Sequence, residues 1–280
     1  DLGLRRDIFS RCDDAIATGR LTSDGRSLIV LRKDDLIEIV PVKGKGAVSK
    51  WPSPLLGADR AWVQKVAGSG LAALGDAAGQ FAVLDYVTGK ATALGRSWGK
   101  GKVAEVIVDP FKVNLAVLYD GGTLAVGGLT AETPLWKDAG RGIRHVAVTP
   151  DGRWLLMLDG EGKLWGTDFA SGGDRTSPCG DSGPQPRAER FATCFLPPGI
   201  ADLSAVSSLE GGRLLVVGSG GFAVYDLFQG RSLAQVPVSP FDTAVTDASG
   251  RQILWITRKE GGLGILSLLP VGKWLSEPDR

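Results

Sequence analysis

The chain has 280 residues, of which 43% are hydrophobic, so it is long enough to bury a sizeable core within one large domain. Its 40 glycines against one methionine indicate many turns and few long helices. The 32 Lys and Arg residues against 31 Asp and Glu leave a net charge of +1, which gives no support to nucleic-acid or membrane binding over the whole surface. No apolar run approaches the roughly 18 residues expected of a transmembrane helix.

Residues 1–15 form a mixed, charged lead-in segment. They are predicted to be either a short helix or an outer strand that closes a ring of sheets from the other end. The chain opens at Asp1 and shows no signal-like stretch, so we expect a processed mature protein or a domain of a longer one.

From residue 16 onward, short apolar runs alternate with turn residues. In the stretch 141–173, Pro150-Asp151-Gly152 follows one run and Asp159-Gly160 follows the next. Proline presets φ at a turn and glycine supplies the positive φ of tight hairpins, so this spacing predicts antiparallel meanders. The predicted strands form six groups of three: 16–21, 28–31 and 37–42; 63–66, 71–74 and 81–87; 103–108, 114–119 and 124–126; 143–148, 154–158 and 164–169; 203–206, 214–217 and 222–228; 243–246, 253–257 and 264–269.

A glycine after the third strand of each group measures the repeat. These glycines are Gly44, Gly89, Gly128, Gly172, Gly230 and Gly272, with steps of 45, 39, 44, 58 and 42 residues. Most steps match the roughly 40–45-residue period of a four-stranded propeller blade. The long step contains a loop insertion at about 174–189. We therefore expect residues 16–280 to form an all-β fold, a single β-propeller of six four-stranded antiparallel blades. Seven blades are the alternative, if residues 1–15 and the C-terminus build another.

Three segments resemble the WD40 repeat family. Residues 148–153, V-T-P-D-G-R, followed by Asp159-Gly160 and Leu164-Trp165, resemble the middle of a repeat. Residues 84–90, L-D-Y-V-T-G-K, and 225–231, Y-D-L-F-Q-G-R, are similar to the family's "WD…TGK" ending. The resemblance covers about residues 16–275. Trp-Asp and Gly-His dipeptides are absent, so it is to a degenerate member, and we expect the family's Asp-His-Ser-Trp hydrogen-bond network to be missing.

Three cysteines cannot all pair within one chain. Cys179 and Cys194 bracket a segment rich in proline, glycine and charge, which suits a loop-closing disulfide in an oxidising compartment. Two free thiols in a cytoplasmic protein are the alternative, so the sequence leaves the localisation open. Cys12 is expected to be a small buried side chain.

The sequence offers little for catalysis or metal binding. His145 is the single histidine, which removes His-rich metal clusters, and it falls in the first strand of its group, as a core residue or as one lining a channel. Asp34-Asp35 and Asp159-Gly160-Glu161 lack the spacing of a calcium loop. We predict no catalytic residues, no cofactor and no metal.

The clearest functional signal is a set of aromatic and basic residues in the predicted connections between groups. Trp and Arg are enriched in binding hot spots, although tryptophans packed between blades are the alternative. We expect Trp98 and Arg96 to be central, because their loop is flanked by glycines and short of apolar neighbours. The candidate partner-binding residues are Trp51, Arg60, Trp62, Arg96, Trp98, Lys100, Trp136 and Arg141.

These patterns favour a non-catalytic protein–protein interaction scaffold, a subunit or domain of a larger assembly. The basic loops would suit a protein partner with an acidic surface. The alternative is a propeller enzyme or small-ligand binder with a site at the mouth of the central channel. The sequence shows no specific signal for nucleic acid.

Overall fold

The structure is a computed structural model. It describes residues 16–22, 27–41, 49–56, 61–62, 70–149, 152–161, 164–170, 192–193, 201–209, 213–219, 221–226, 231–237, 243–246, 252–258 and 264–270. These residues form strands and turns and no helix, so the predicted all-β class is confirmed. Over the same residues, nothing has the length and apolarity of a membrane-spanning helix.

The strands form six consecutive antiparallel sheets, and within each sheet the strands are paired in chain order. Sheets 1 to 5 have four strands each, and sheet 6 has three among the described residues. Sheet 1 contains β1 (Ile16–Leu21), β2 (Ser27–Arg32), β3 (Leu36–Pro41) and β4 (Ser49–Pro52); sheet 2 contains β5 (Ala61–Trp62), β6 (Leu71–Gly75), β7 (Phe81–Asp85) and β8 (Lys90–Arg96); sheet 3 contains β9 (Val103–Val108), β10 (Asn114–Tyr119), β11 (Leu124–Gly128) and β12 (Trp136–Asp138). Sheet 4 contains β13 (His145–Val148), β14 (Trp154–Leu158), β15 (Leu164–Asp168) and β16 (Ala192–Thr193); sheet 5 contains β17 (Ala201–Leu209), β18 (Arg213–Ser219), β19 (Gly221–Asp226) and β20 (Arg231–Pro237); sheet 6 contains β21 (Thr243–Thr246), β22 (Gln252–Arg258) and β23 (Gly264–Pro270).

The fourth strand of each sheet is where the sequence analysis falls short. Trp51 lies in β4, Arg96 ends β8 and Trp136 begins β12, so placing these residues in connecting loops was wrong. A fourth strand pairs with only one neighbour, and it carries little apolar sequence: β4 reads S-K-W-P and is mostly exposed. Without a run of buried residues, nothing local distinguishes such a strand from a loop.

In sheets 1, 3 and 4, the first hairpin is closed by hydrogen bonds between a side chain and the backbone. The Thr149 hydroxyl accepts from the Trp154 N–H at 3.0 Å and donates to the Trp154 carbonyl at 3.4 Å. Thr22 makes the same pair of bonds to Ser27. In sheet 3 the buried Asp109 carboxylate accepts from two backbone N–H groups instead. These side-chain hydrogen bonds were not predicted from the sequence, and they close the first hairpins of sheets 1, 3 and 4.

The hydrophobic core is divided into layers, each lying between two successive sheets. Along β10, Val117 packs in a cluster with Phe81 of sheet 2, whereas Leu118 packs in a cluster with Met157 of sheet 4. Three further clusters join sheets 1 and 2, sheets 4 and 5, and sheets 5 and 6. Neighbouring sheets cover both faces of the second strands β6 and β14. These two strands are therefore buried at every residue and read as continuous apolar runs.

The first strands of successive sheets lie near one another. β1 contacts β5, β9 contacts β13, β13 contacts β17, and β17 contacts β21, while β9 also contacts β6 of the preceding sheet. The sheets thus follow each other face to face, with their first strands on a common side.

Several predictions fall outside the described residues. These are the lead-in segment 1–15, the insertion at about 174–189, the side chain of Arg60, and the thiols of Cys12, Cys179 and Cys194. The disulfide, and the domain boundaries at 15 and 16, stay predictions.

Candidate functional site

The connections between sheets and the hairpins between second and third strands meet at one edge of sheets 2 to 4. The Val103 N–H, just after the connection 97–102, donates to the Asp76 carbonyl of sheet 2, and the Asp120 N–H donates to the Lys102 carbonyl. The next connection, 139–144, repeats this: the Ile143 N–H donates to Gly122, and the Arg144 N–H donates to the Leu158 carbonyl. We call this edge the connection face and define it as residues 76–80, 97–102, 120–123, 139–144 and 159–161.

Trp98 does not lie on the surface of the connection face. Its side chain is 2% exposed and packs edge-on against Phe81, with ring centroids 5.1 Å apart. The Trp98 indole N–H donates to the Glu132 carbonyl at 3.0 Å. The expectation of an exposed Trp98 with few apolar neighbours was wrong, because the flanking glycines let the loop fold inward between sheets 2 and 3. The Trp98 ring is therefore part of the frame, by which we mean the side chains that hold neighbouring sheets together.

Tyr119 of β10 holds the same loop from the other side. Its hydroxyl accepts from the Trp98 backbone N–H at 2.9 Å. Burial raises the pKa of the Tyr119 phenol, against the smaller lowering effect of hydrogen bonds with the Trp98 and Gly99 backbone and the Ser97 side chain. A Cβ at Gly99 would lie 2.5 Å from Tyr119 Cε2, so only glycine allows this close approach. The neutral phenol and the glycine together fix the connection 97–102.

The other predicted tryptophans that the structure describes also pack between sheets. Trp136 is 5% exposed in the core between sheets 3 and 4. Trp51 is half-buried, and its indole lies against Gly89 of sheet 2, where a Cβ would come within 2.0 Å of the indole nitrogen. The structure describes the backbone of Trp62 in β5 but not its side chain. The alternative weighed in the sequence, tryptophans packed between units, therefore holds for Trp51, Trp98 and Trp136.

Arg96 is bound to the neighbouring sheet. Its guanidinium donates to the Ala131 carbonyl at 2.7 Å, in the segment between β11 and β12, and the side chain is half-buried. This bond ties the last strand of sheet 2 to sheet 3. Like Trp98, Arg96 contributes to the frame.

Arg141 is a predicted site residue that lies in the connection 139–144 and is partly exposed. Its guanidinium pairs with the Asp138 carboxylate, and its Cζ lies 4.7 Å from the centroid of the Trp165 ring. The Trp165 indole N–H in turn donates to Asp159 at 2.7 Å. Arg141 and Trp165 are both half-buried, so one face of this stacked pair reaches solvent.

Trp165 was not among the predicted partner-binding residues. The signal that could have found it is the Asp159-Gly160 turn followed by Leu164-Trp165, which places an indole N–H within reach of a turn carboxylate. The sequence cannot show that Arg141, from the preceding sheet, stacks on this ring.

The charge of the connection face follows from its exposed side chains. Lys100, Lys102 and Arg144 are exposed cations, and Asp120 and Glu161 are exposed anions. Asp138 and Asp159 are buried and engaged in the contacts described above. Cations thus exceed anions by one among the exposed side chains of the connection face, and the half-buried Arg141 and Asp76 carry opposite charges.

The first strands of sheets 3 and 4 each carry one ionisable side chain, at the same register position. His145 begins β13, is half-buried and pairs with Leu158, while the buried Glu105 of β9 pairs with the equivalent Leu118. The alternative hypothesis of a small-ligand site would draw on these two residues. No group of three or more His, Cys, Asp and Glu side chains arranged to hold a metal ion occurs among the described residues.

Comparison with known proteins adds no family to this geometry. No protein-family model matches the chain, and no curated protein matches it at a significant level. The function is therefore argued from the sheets and the connection face alone.

Proposed function

We propose that this protein is a non-catalytic protein–protein interaction scaffold, a subunit or domain of a larger assembly, that binds through its connection face. The observation that carries the proposal is the Arg141–Trp165 pair, stacked at 4.7 Å across sheets 3 and 4 and partly open to solvent. Arginine and tryptophan are the residue types most enriched in binding hot spots. Because hydrogen bonds fix both side chains, little conformational entropy is lost when a partner binds them.

The proposed architecture is a WD40-like β-propeller of six blades. It is supported by six consecutive meanders, by first strands that lie on a common side, and by a core layer between each pair of successive sheets. The proposal adds closure of the ring, in which sheet 6 packs against sheet 1. An experimental structure with a seventh radial sheet, or with two stacked sheets of a sandwich, would contradict it.

The proposed binding residues differ from those read from the sequence. Trp51, Arg96, Trp98 and Trp136 hold neighbouring sheets together, and their proposed role is indirect. Direct contact is assigned to the exposed or partly exposed residues Lys100, Lys102, Arg141, Arg144 and Trp165.

The excess of exposed cations supports a partner with an acidic surface. Cations at the rim of an interface chiefly raise the association rate and set the orientation, and their effect weakens with salt. The partner would place carboxylates near Lys102 and Arg144 and an apolar or aromatic group over the Arg141–Trp165 pair.

The test is affinity capture from the native source, comparing matched charge reversals. Lys102→Glu with Arg144→Glu alters the connection face, and Lys90→Glu with Lys137→Glu alters exposed positions in β8 and β12. We expect the first variant to retain a captured acidic partner about tenfold or more weakly, while the second retains it as the wild type does. Equal retention by both variants would reject the connection face as the binding surface.

A further inference from the structure

The first hairpin of sheet 3 differs in sequence from that of sheet 4, although one residue in each has the same left-handed conformation and the equivalent hydrogen bond. Lys112 has φ 59° and its N–H donates to the Asp109 carbonyl; Gly152 has φ 68° and its N–H donates to the Thr149 carbonyl. Residues 109–114 read D-P-F-K-V-N, and residues 149–154 read T-P-D-G-R-W. In sequence, 22–27 and 247–252 follow the second pattern, with D-G-R and S-G-R at the corresponding positions. Phe-Lys-Val thus stands where the first hairpins of sheets 1, 4 and 6 have a polar tripeptide.

Neither hairpin closure nor the core explains this replacement. Phe111 is 70% exposed and Val113 is 59% exposed, at positions where the compared hairpins carry Asp or Ser and Arg. Lys112 adopts a left-handed conformation that glycine takes without strain and that lysine takes at a cost. Exposed apolar side chains combined with a strained backbone at one turn are typical of a binding feature.

The backbone of the hairpin is held by hydrogen bonds to the Asp109 side chain. The Asp109 carboxylate is buried and accepts from the N–H groups of Val113 at 3.1 Å and Asn114 at 2.6 Å. The Phe111 ring lies beside the neighbouring hairpin, where a Cβ at Gly152 would be 3.0 Å from Cδ2. This contact places Phe111 beside the hairpin that carries Arg153, an exposed side chain whose Cζ lies 5.1 Å from the centroid of the Trp154 ring.

We propose that Phe111, Lys112, Val113 and Arg153 form a second docking site, the hairpin site, for a partner-protein segment that carries an acidic residue beside an apolar one. Phe111 and Val113 would meet the apolar side chain, and the exposed Lys112 and Arg153 would meet the carboxylate. Asp109 does not compete for these cations, because its oxygens are buried on backbone N–H groups. The inference rests on the proposed role in protein interaction but not on the connection face.

The size and charge of the hairpin site favour a peptide segment over a membrane surface. Two apolar side chains and two cations bury too little hydrocarbon for stable membrane attachment, which takes larger apolar area or a polybasic patch. A net charge of +1 for the whole chain adds no general attraction to anionic lipid.

The molecule supplies its own control variant. The triple change Phe111→Asp, Lys112→Gly and Val113→Arg rewrites the hairpin as the D-G-R of residues 151–153 and relieves the left-handed lysine. We expect its melting temperature to equal or exceed that of the wild type. A clear fall in melting temperature would show that Phe111 and Val113 serve the fold, and would overturn the inference.

The binding experiment selects short phage-displayed random peptides on the intact wild-type protein, with depletion on the triple variant. We expect enriched peptides in which Asp or Glu neighbours Leu, Ile or Phe, and about tenfold or more weaker binding to the triple variant by fluorescence anisotropy. Leu56→Ser, at another exposed apolar position, should bind these peptides as the wild type does. Peptides without acidic residues, or equal binding to the triple variant, would overturn the inference.

Two further arms separate the remaining outcomes. Binding of the wild type, but not the triple variant, to vesicles of phosphatidylcholine and phosphatidylserine in roughly equal parts would reassign the site to membranes and overturn the peptide assignment. Peptides that depend on Lys102 and Arg144 but not on the hairpin would overturn this inference and leave the connection face standing. If the peptides depend on the hairpin but partner capture does not depend on Lys102 and Arg144, the connection face would be overturned as the binding surface and this inference would stand.

Discussion

Residues 97–102 and residues 139–144 both carry the chain from one sheet to the next, but they fix the junction by different chemistry. The first buries Trp98 between sheets 2 and 3, and the second holds Arg141 in a half-exposed stack on Trp165. Burial of a large aromatic ring contributes several kcal/mol, whereas an ion pair whose guanidinium is partly exposed contributes about 1 kcal/mol. The same topological position can therefore serve stability in one place and present a partly exposed, hydrogen-bonded side chain in another.

Truncating Trp98 should lower the stability more than any other substitution in the two connections. A small effect would contradict the difference between the two connections. We expect Trp98→Ala to lower the free energy of unfolding by roughly 3–5 kcal/mol, because it leaves a cavity beside Phe81 and removes a buried hydrogen bond. Chemical denaturation measures the change. Trp98→Phe, which keeps a ring but loses the indole N–H, should cost less. A loss under about 1 kcal/mol for Trp98→Ala would mean that the ring is not buried.

Gly99 and Gly140 form a matched pair, one in each connection. Gly99→Ala should destabilise the protein by about 1–3 kcal/mol, because the added methyl group would meet the Tyr119 ring. At Gly140 a Cβ would meet nothing within 4 Å, and Gly140→Ala should be close to neutral. Thermal unfolding of both variants makes the comparison, and equal effects would contradict the difference between the two loops.

Tyr119 links the first connection to pH. Burial raises the pKa of its phenol above the unfolded value of 10.0, so the neutral form is favoured by the fold. Its contribution to stability should be fully present below pH 10 and lost as the pH rises above that value.

Tyr119→Phe should cost about 1–3 kcal/mol at neutral pH, because the Trp98 N–H loses its acceptor, and it should flatten the alkaline fall in stability. Tyr225 is the internal control, since burial and then the nearby Asp226 raise its pKa as well. It should retain its share of the alkaline fall in the Tyr119→Phe variant. An unchanged alkaline slope in that variant would contradict the assignment to Tyr119.

Changes in the second connection should have the smallest effect on stability. We expect Arg141→Ala to cost about 1 kcal/mol, because the guanidinium is partly exposed and the buried Asp138 carboxylate keeps its hydrogen bonds from the Gly140 and Arg141 N–H groups. A double-mutant cycle of Arg141→Ala with Asp138→Asn isolates the pair, and its coupling should shrink as salt is added. A cost comparable to that of Trp98→Ala would show that both connections serve mainly the frame.

The sequence by itself determined the all-β class and the first three strands of nearly every sheet, because these features are local. The turn sequence Thr149-Pro150-Asp151-Gly152 contains a side chain that can hydrogen-bond to the backbone and residues with local backbone preferences. An apolar run such as β14 indicates burial on both faces of the strand.

Only the tertiary structure decided which residues near the connection face pack between sheets and which lie on the surface. Trp98 finds Tyr119 at 21 residues' separation and Glu132 at 34, and Arg96 finds Ala131 at 35. Composition around Trp98, with its glycines and charges, resembles that of an exposed loop, since the groups that bury it come from the next sheet. The fourth strands were missed for the same reason: β12 is a strand because Trp136 pairs with Val126. Burial of a side chain depends on its neighbours in space, and a local pattern does not contain them.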